Sequence, residues 1–209
     1  MSRAEMKAAA KQQIKGNIGM LFLCVLIVCG ISVVCGIIPI IGWIGALLVA
    51  PPLAVGMCKV YIGLTEGKKA AVGTMFEGFE SFGKSIWLFI LIGVFTYLWT
   101  LLFIIPGIIK TYSYSMAPYV LADNPEMTAR EALRESKEIM HGHKWELFVI
   151  HLSFILWEIL GLFTLGIAYI YIYPYMATTV ANFYQKIKRQ PLVEEAPVEE
   201  PTIAQEDMI

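Results

Sequence analysis

The chain alternates between long apolar runs and short charged segments. No charged residue occurs in 16–58 or in 85–109, which are 43 and 25 residues long. A third run, 147–185, contains only His151 and Glu158 as titratable interruptions of its 39 residues, tyrosines aside. A transmembrane helix needs roughly 20 consecutive apolar residues. A chain of this size cannot bury such runs on every side, so the pattern predicts a helical membrane protein. The two longest runs are each long enough for two transmembrane helices.

The same short motif opens each apolar run. A glycine, four residues of any kind and Leu-Phe occur at Gly16, Gly83 and Gly142. About one membrane thickness later, and again in the returning segment, each run contains a turn or helix-break signal. These signals are Pro39, Pro51, Pro106, Pro118 and Pro174, with Leu165 at the turn position of the third run. Agreement of several features in order and spacing predicts a threefold internal repeat.

A helix-starting sequence precedes each of these glycines. The pattern Ser/Thr-x-x-Glu is typical of a capping box, in which the hydroxyl and the carboxylate bond to each other's backbone N–H groups. It occurs at Ser2–Glu5, Thr74–Glu77 and Thr128–Glu131. Each repeat is therefore predicted to consist of a capped helix at the membrane surface, a helix out, a turn and a helix back.

These patterns predict an all-α, polytopic membrane protein of three hairpin repeats, each preceded by an interfacial amphipathic helix. The integral membrane domain is expected to span 1–189, with repeats at about 2–66, 72–124 and 126–187. Six crossings are expected at about 18–38, 42–63, 85–105, 107–123, 145–163 and 167–185. The remaining segment, 190–209, has six acids and no basic residue, which predicts a disordered acidic tail.

Basic residues are distributed unevenly between the two predicted sides. Lys110 is the one basic residue near the predicted outer turns, and the other 15 of the 16 lie on the opposite side. The positive-inside rule then predicts a multi-pass protein of the cell membrane with both termini in the cytoplasm. Although the formal net charge is −1, removing the six tail acids leaves 11 acids against 16 bases, or +5. Such an inner face is suited to anionic lipid head groups.

Two surface segments have apolar stripes with helical spacing. In the second repeat the stripe is suited either to a helix lying in the membrane interface or to one packed on the protein's own inner face. It consists of Val72, Met75, Phe76, Phe79 and Phe82. In the third, the apolar face of 128–141 requires a partner surface. Its members are Ala129, Ala132, Leu133, Ile139 and Met140.

Several longer motifs carry a family resemblance. They are Lys11-Gln-Gln-Ile-Lys-Gly-Asn17, Ile105-Pro-Gly-Ile-Ile-Lys110, Tyr112-Ser-Tyr-Ser-Met-Ala-Pro-Tyr119, Asp123-Asn-Pro125 and Ser136-Lys-Glu-Ile-Met-His-Gly-His-Lys144. Together they resemble the bacterial integral-membrane family catalogued as domain of unknown function 975, over roughly residues 5–186. The resemblance implies a bacterial cell-membrane protein and implies no activity.

One polar group lies within the predicted crossings. Lys110, His151 and Glu158 could form a proton- or ion-linked site, since a charge inside a crossing usually marks a pathway or a pair. The alternative is a structural ion pair of Lys110 with Glu158 near the outer surface, with Lys110 extending toward water. His151, seven residues before Glu158, is expected to share its helix face.

The motifs leave the molecular activity open. The sequence contains no phosphate loop, nucleophile elbow, zinc-helix motif or nucleic-acid module, so no cofactor, metal or nucleic-acid partner is expected. We expect a non-enzymatic membrane module that binds a partner protein or lipid. Two alternatives remain: a small transporter or channel using the intramembrane polar group, and a membrane-embedded enzyme acting on lipids.

Overall fold

The protein is helical throughout the part that can be described. The computed structural model describes residues 2–37, 41–102, 104–164 and 168–189, and within these ranges it contains helices and no strands. The all-α prediction is therefore confirmed. The predicted turns at Pro39 and Leu165 and the acidic tail lie outside the described residues.

The helices follow one another in the order that the apolar runs predict. α1 (Arg3–Ile14) leads to α2 (Ile18–Ile37) and α3 (Ile41–Thr65). α4 (Val72–Phe76) and a 3₁₀ helix (Glu77–Ser81) lead to α5 (Phe82–Leu102), α6 (Ile104–Tyr114) and α7 (Ala117–Asp123). α8 (Ala129–Ile139) leads to α9 (Lys144–Leu152), α10 (Ile155–Phe163) and α11 (Tyr169–Lys188).

Parts of this helical framework are long and apolar enough to cross a membrane. Among the described residues, Leu47–Thr65 and the 31-residue segment Val72–Leu102 meet this condition. A third candidate is the pair Arg3–Ile14 and Ile18–Val34, which is bent by 89° at the break between its helices. The described part of the chain thus has two helices that could span a bilayer, or three spans if the bent pair counts as one.

The first and third apolar runs begin with the same local geometry. Gly16 and Gly142 have φ values of +93° and +78°, a backbone conformation that favours glycine over other residues. Gly16 follows the final turn of α1, and Gly142 lies between α8 and α9, so each glycine redirects the chain after a surface helix. Gly83 differs because it lies inside α5, and the second run starts without such a turn.

Two of the three predicted capping boxes are confirmed. Ser2 with Glu5, and Thr128 with Glu131, form both reciprocal hydrogen bonds. The third prediction is wrong: Thr74 lies inside α4, which begins after Ala71 without a side-chain cap. The Glu77 carboxylate instead lies 2.5 Å from Lys59 Nζ of α3, because a charged partner from another helix is within its reach.

Two predicted crossings are interrupted. The segment 107–123 is divided between α6 and α7, where Pro118 occupies the first turn of α7, a position at which proline's missing N–H has no cost. The segment 145–163 is divided at Ser153, whose hydroxyl donates to the Ile150 carbonyl and thereby competes with the regular helical bond.

Other prolines do not interrupt their helices. We predicted breaks at Pro51 and Pro174, but α3 is continuous through Pro51 and Pro52, and α11 through Pro174. Pro106 is also part of a helix, in the first turn of α6. Membrane helices tolerate proline when neighbouring groups satisfy the freed carbonyl.

The buried core is concentrated at one end of the bundle, which we call the basal half. It comprises α1, α7, α8, Leu53–Leu64 of α3, the first turns of α5 and α9, and Ile172–Ile187 of α11. The five residues of the predicted apolar face of α8 are all buried here. The apolar face of 128–141 therefore has the partner surface that its sequence requires.

The opposite end, the apical half, exposes large apolar side chains. Leu101, Leu156 and Phe163 are 71, 77 and 80% exposed. Exposing such a continuous apolar surface to water would be costly, at roughly 25 cal/mol per Å². Hydrocarbon removes this cost, so the apical half has the surface of a membrane-embedded region.

Candidate functional site

Lys110 and Glu158, the two charged members of the predicted intramembrane polar group, do not contact each other among the described residues. The Lys110 ammonium lies 4.7 Å from the ring centroid of Trp99, and the Glu158 side chain is exposed on α10. Across the described ranges no ion pair joins Lys110 to Glu158, so the predicted pair is not formed. The sequence indicates how far along the bundle Lys110 and Glu158 lie. It does not indicate the direction in which each side chain points.

His151 has a different environment from the one predicted. Its ring packs against Tyr112 of α6 at 5.9 Å between centroids, and its buried Nδ1 has no hydrogen-bond partner among the described residues. It belongs to α9, whereas Glu158 belongs to α10. The two residues therefore lie on separate helices, with the interruption at Ser153 between them.

Charged residues instead gather around a pocket in the basal half, which we call the basal pocket. It has a volume of about 360 Å³ and lies between the end of α3, the connection to α4, the 3₁₀ helix and the end of α7. Its charged lining consists of Lys59, Lys68, Lys69, Glu66, Glu77 and Asp123. The Thr74 side chain and apolar residues of α3 complete the wall.

Each acidic group of the basal pocket already has a basic partner. Glu66 accepts a hydrogen bond of 2.7 Å from Lys68, and Glu77 pairs with Lys59. Asp123 contacts Lys188 Nζ and accepts a 3.0 Å hydrogen bond from the Tyr184 hydroxyl. The acidic lining is thus neutralised by contacts with neighbouring side chains.

Lys69 has no such partner. It is exposed at the pocket, and no ion pair to it is formed within 2–37, 41–102, 104–164 and 168–189. The neighbouring Lys68 differs, since its hydrogen bond to Glu66 raises the pKa of its ammonium. The three lysines and three carboxylates of the lining balance formally, and the absence of an ion pair at Lys69 among the described residues leaves its ammonium available to bind an anion.

A row of aromatic rings lies on the helical segment that forms one wall of the pocket. Phe76, Phe79 and Phe82 are stacked at centroid distances of 6.1 and 6.2 Å. We call them the aromatic row. Phe76 and Phe82 are 43 and 40% exposed, whereas Met75 is fully buried. The apolar stripe predicted from the sequence therefore has two sides. The side with Met75 packs on the protein, and the side with Phe76 and Phe82 is exposed.

Comparison with known protein families identifies the family of this chain. A model of the family described as "Protein of unknown function (DUF975)" matches residues 1–113 and 101–191. The chain belongs to the DUF975 family. The predicted resemblance is confirmed over residues 1–191. Neither the curated proteins nor the solved structures gave a match to this chain.

Membership in DUF975 provides no activity, since the description of the family states that its function is unknown. The arrangement of residues therefore carries the functional argument. Sequence reasoning missed the basal pocket because its walls come from residues 59–77 and 122–123, which meet only after folding. The one local signal was the adjacent pair Lys68–Lys69 in the short connection between α3 and α4.

Proposed function

We propose that this protein is a six-pass protein of the cell membrane, built of three hairpin units, with both termini and the basal half on the cytoplasmic side. The distribution of basic residues supports this orientation. Three segments of the order surface helix, outgoing helix and returning helix support the hairpin units. The interrupted pairs α6–α7 and α9–α10 would each form one crossing in this arrangement.

We further propose that the basal half is a non-enzymatic module that binds a lipid or a partner protein at the cytoplasmic face. The observation that carries this proposal is the basal pocket with the aromatic row on its wall. A charged pocket beside exposed aromatic side chains is suited to the boundary between hydrocarbon and water. The densely packed core around it provides a rigid support.

The polar residues of the crossings give less support to a carrier. A proton-coupled site needs titratable groups that converge on a common space. Lys110 lies on Trp99, His151 packs on Tyr112, and Glu158 is exposed. The geometry therefore favours binding at the basal half over transport through the bundle.

Cysteine accessibility tests the proposed architecture. In a variant with all four native cysteines replaced by alanine, Pro106→Cys would report on the predicted outer turn after α5 and Lys137→Cys on the basal half. In intact cells, a membrane-impermeant maleimide should label only Pro106→Cys, with Lys137→Cys reacting after permeabilisation. Labelling of Lys137→Cys alone would reverse the orientation, and labelling of both from outside would contradict the crossing by α5.

A further inference from the structure

The basal pocket has groups that can bind an anion. Within the described part of the chain Lys69 is the lining lysine without an ion pair, and Thr74, another lining residue, has a hydroxyl that can donate. Lys59 and Lys68 are held by Glu77 and Glu66. Each ammonium nevertheless has three donors, so both can bond to an additional oxygen without leaving their carboxylates.

The position of the aromatic row identifies the source of that anion. Thr74 and Glu77 line the pocket, while Phe76 and Phe82 on the same helical segment expose their rings. Exposed phenylalanines at the basal end of a membrane-crossing segment are suited to the boundary between head groups and acyl chains. The pocket then lies at the depth of lipid phosphates, within reach of a head group whose acyl chains remain in the bilayer.

We propose that the basal pocket binds the phosphodiester head group of an anionic phospholipid. Lys69 provides the compensating charge, Thr74 donates to a phosphate oxygen, and the Lys59–Glu77 pair lines the same pocket. This inference rests on the proposed membrane architecture and assigns a ligand class to its cytoplasmic face.

The test is lipid retention by the full-length protein in detergent, measured by native mass spectrometry. The probes are dioleoyl-phosphatidylglycerol, dioleoylglycerol with the same acyl chains and no phosphate, and inorganic phosphate. The variants are Lys69→Gln, Thr74→Val and the control Lys137→Gln, which removes the same charge from an exposed position of α8 outside the pocket.

The proposal expects selective binding of phosphatidylglycerol over dioleoylglycerol. Lys69→Gln should weaken it by roughly tenfold, as is typical of one charged hydrogen bond, Thr74→Val by less, and Lys137→Gln should leave it unchanged.

Equal losses in Lys69→Gln and Lys137→Gln would indicate a general basic surface and overturn the proposal. Equally tight, Lys69-dependent binding of inorganic phosphate would assign the pocket to a soluble anion and overturn the lipid source. If lipid binding fails while the cysteine labelling has the expected sidedness, the proposed architecture stands and only the ligand assignment is lost.

Discussion

The side-chain amides of Gln13 and Asn182 hydrogen-bond to each other in both directions, joining the first helix to the last. Gln13 Nε2 donates to Asn182 Oδ1 at 3.2 Å, and Asn182 Nδ2 donates to Gln13 Oε1 at 2.7 Å. Asn182 is only 5% exposed. Gln13 therefore satisfies an amide that water does not reach easily.

This pair predicts non-additive stability effects. Gln13→Met should lower the free energy of unfolding by about 1–3 kcal/mol, because it leaves the buried Asn182 amide without its partner. Asn182→Leu should cost less, because the partly buried Gln13 amide can bond to water instead. The double variant should lose less than the sum, since both polar groups are then absent. Denaturant unfolding in detergent micelles measures the stability of the unmodified protein, the two single variants and the double variant. Additive losses would contradict the proposed dependence of one amide on the other.

The crossing of α3 with α4 and the 3₁₀ helix should not tolerate a methyl group. A Cβ at Gly56 would lie 1.8 Å from the Met75 carbonyl oxygen, and one at Gly78 would lie 2.1 Å from that of Pro52. Backbone is in contact with backbone here, so no side chain can rotate away. Gly56→Ala should cost about 1–3 kcal/mol of stability or more, the usual range for overpacking.

Gly63 provides the matched control for this prediction on the same helix. A Cβ there would lie 3.7 Å from the nearest atom, the Lys68 Cβ, at an ordinary van der Waals distance. Gly63→Ala should therefore be neutral or slightly stabilising, since alanine favours helix. Equal melting temperatures of the two variants would show that the crossing is looser than described.

The start of α8 should depend on its cap and on pH. Thr128→Ala should destabilise the protein by about 1 kcal/mol, whereas Thr74→Ala should remove no cap because Thr74 lies inside α4. A comparable loss of stability in Thr74→Ala would indicate that the second box also forms.

The pH dependence follows from the Glu131 carboxylate. The backbone N–H of Thr128, and secondarily its hydroxyl, donate to this carboxylate and lower its pKa from 4.5. A depressed folded-state pKa gives stability that is fully present above the unfolded-state value and is lost as pH falls through the folded-state value. The difference in stability between Glu131→Gln, which lacks the carboxylate, and the unmodified protein should therefore shrink as pH falls below 4.5, as thermal unfolding at several pH values would show.

Glu158 should be dispensable for any solute movement. Because its exposed carboxylate forms no ion pair within the described part of the chain, Glu158→Gln should leave both folding and flux in proteoliposomes under a proton gradient unchanged. A flux present in the unmodified protein and absent from Glu158→Gln would restore the carrier hypothesis and place Glu158 at its centre.

Local sequence was sufficient to predict features that depend on neighbouring residues. Ser2–Glu5 and Thr128–Glu131 form caps because both partners lie within one helical turn. The helices along the apolar runs were predictable from the spacing of charged residues. Thr74–Glu77 has the same pattern and forms no cap, since Lys59, distant in sequence, pairs with Glu77.

Features that depend on how distant segments meet could not be predicted. The sequence placed Lys110 and Glu158 at similar heights, but the rotation of each helix about its axis determines which way a side chain points. The basal pocket likewise requires Asp123 of α7 to approach Lys69 and Thr74. No periodicity in a single segment contains that information.

The contact between the first and last helices also determines when the protein can finish assembling. Gln13 and Asn182 are 169 positions apart, and α11 contributes Phe183 and Tyr184, both fully buried, to the basal core. During synthesis, α1 is made long before its partner α11. The helices between them can form one after another, but the basal half stays open until α11 leaves the ribosome and packs against α1.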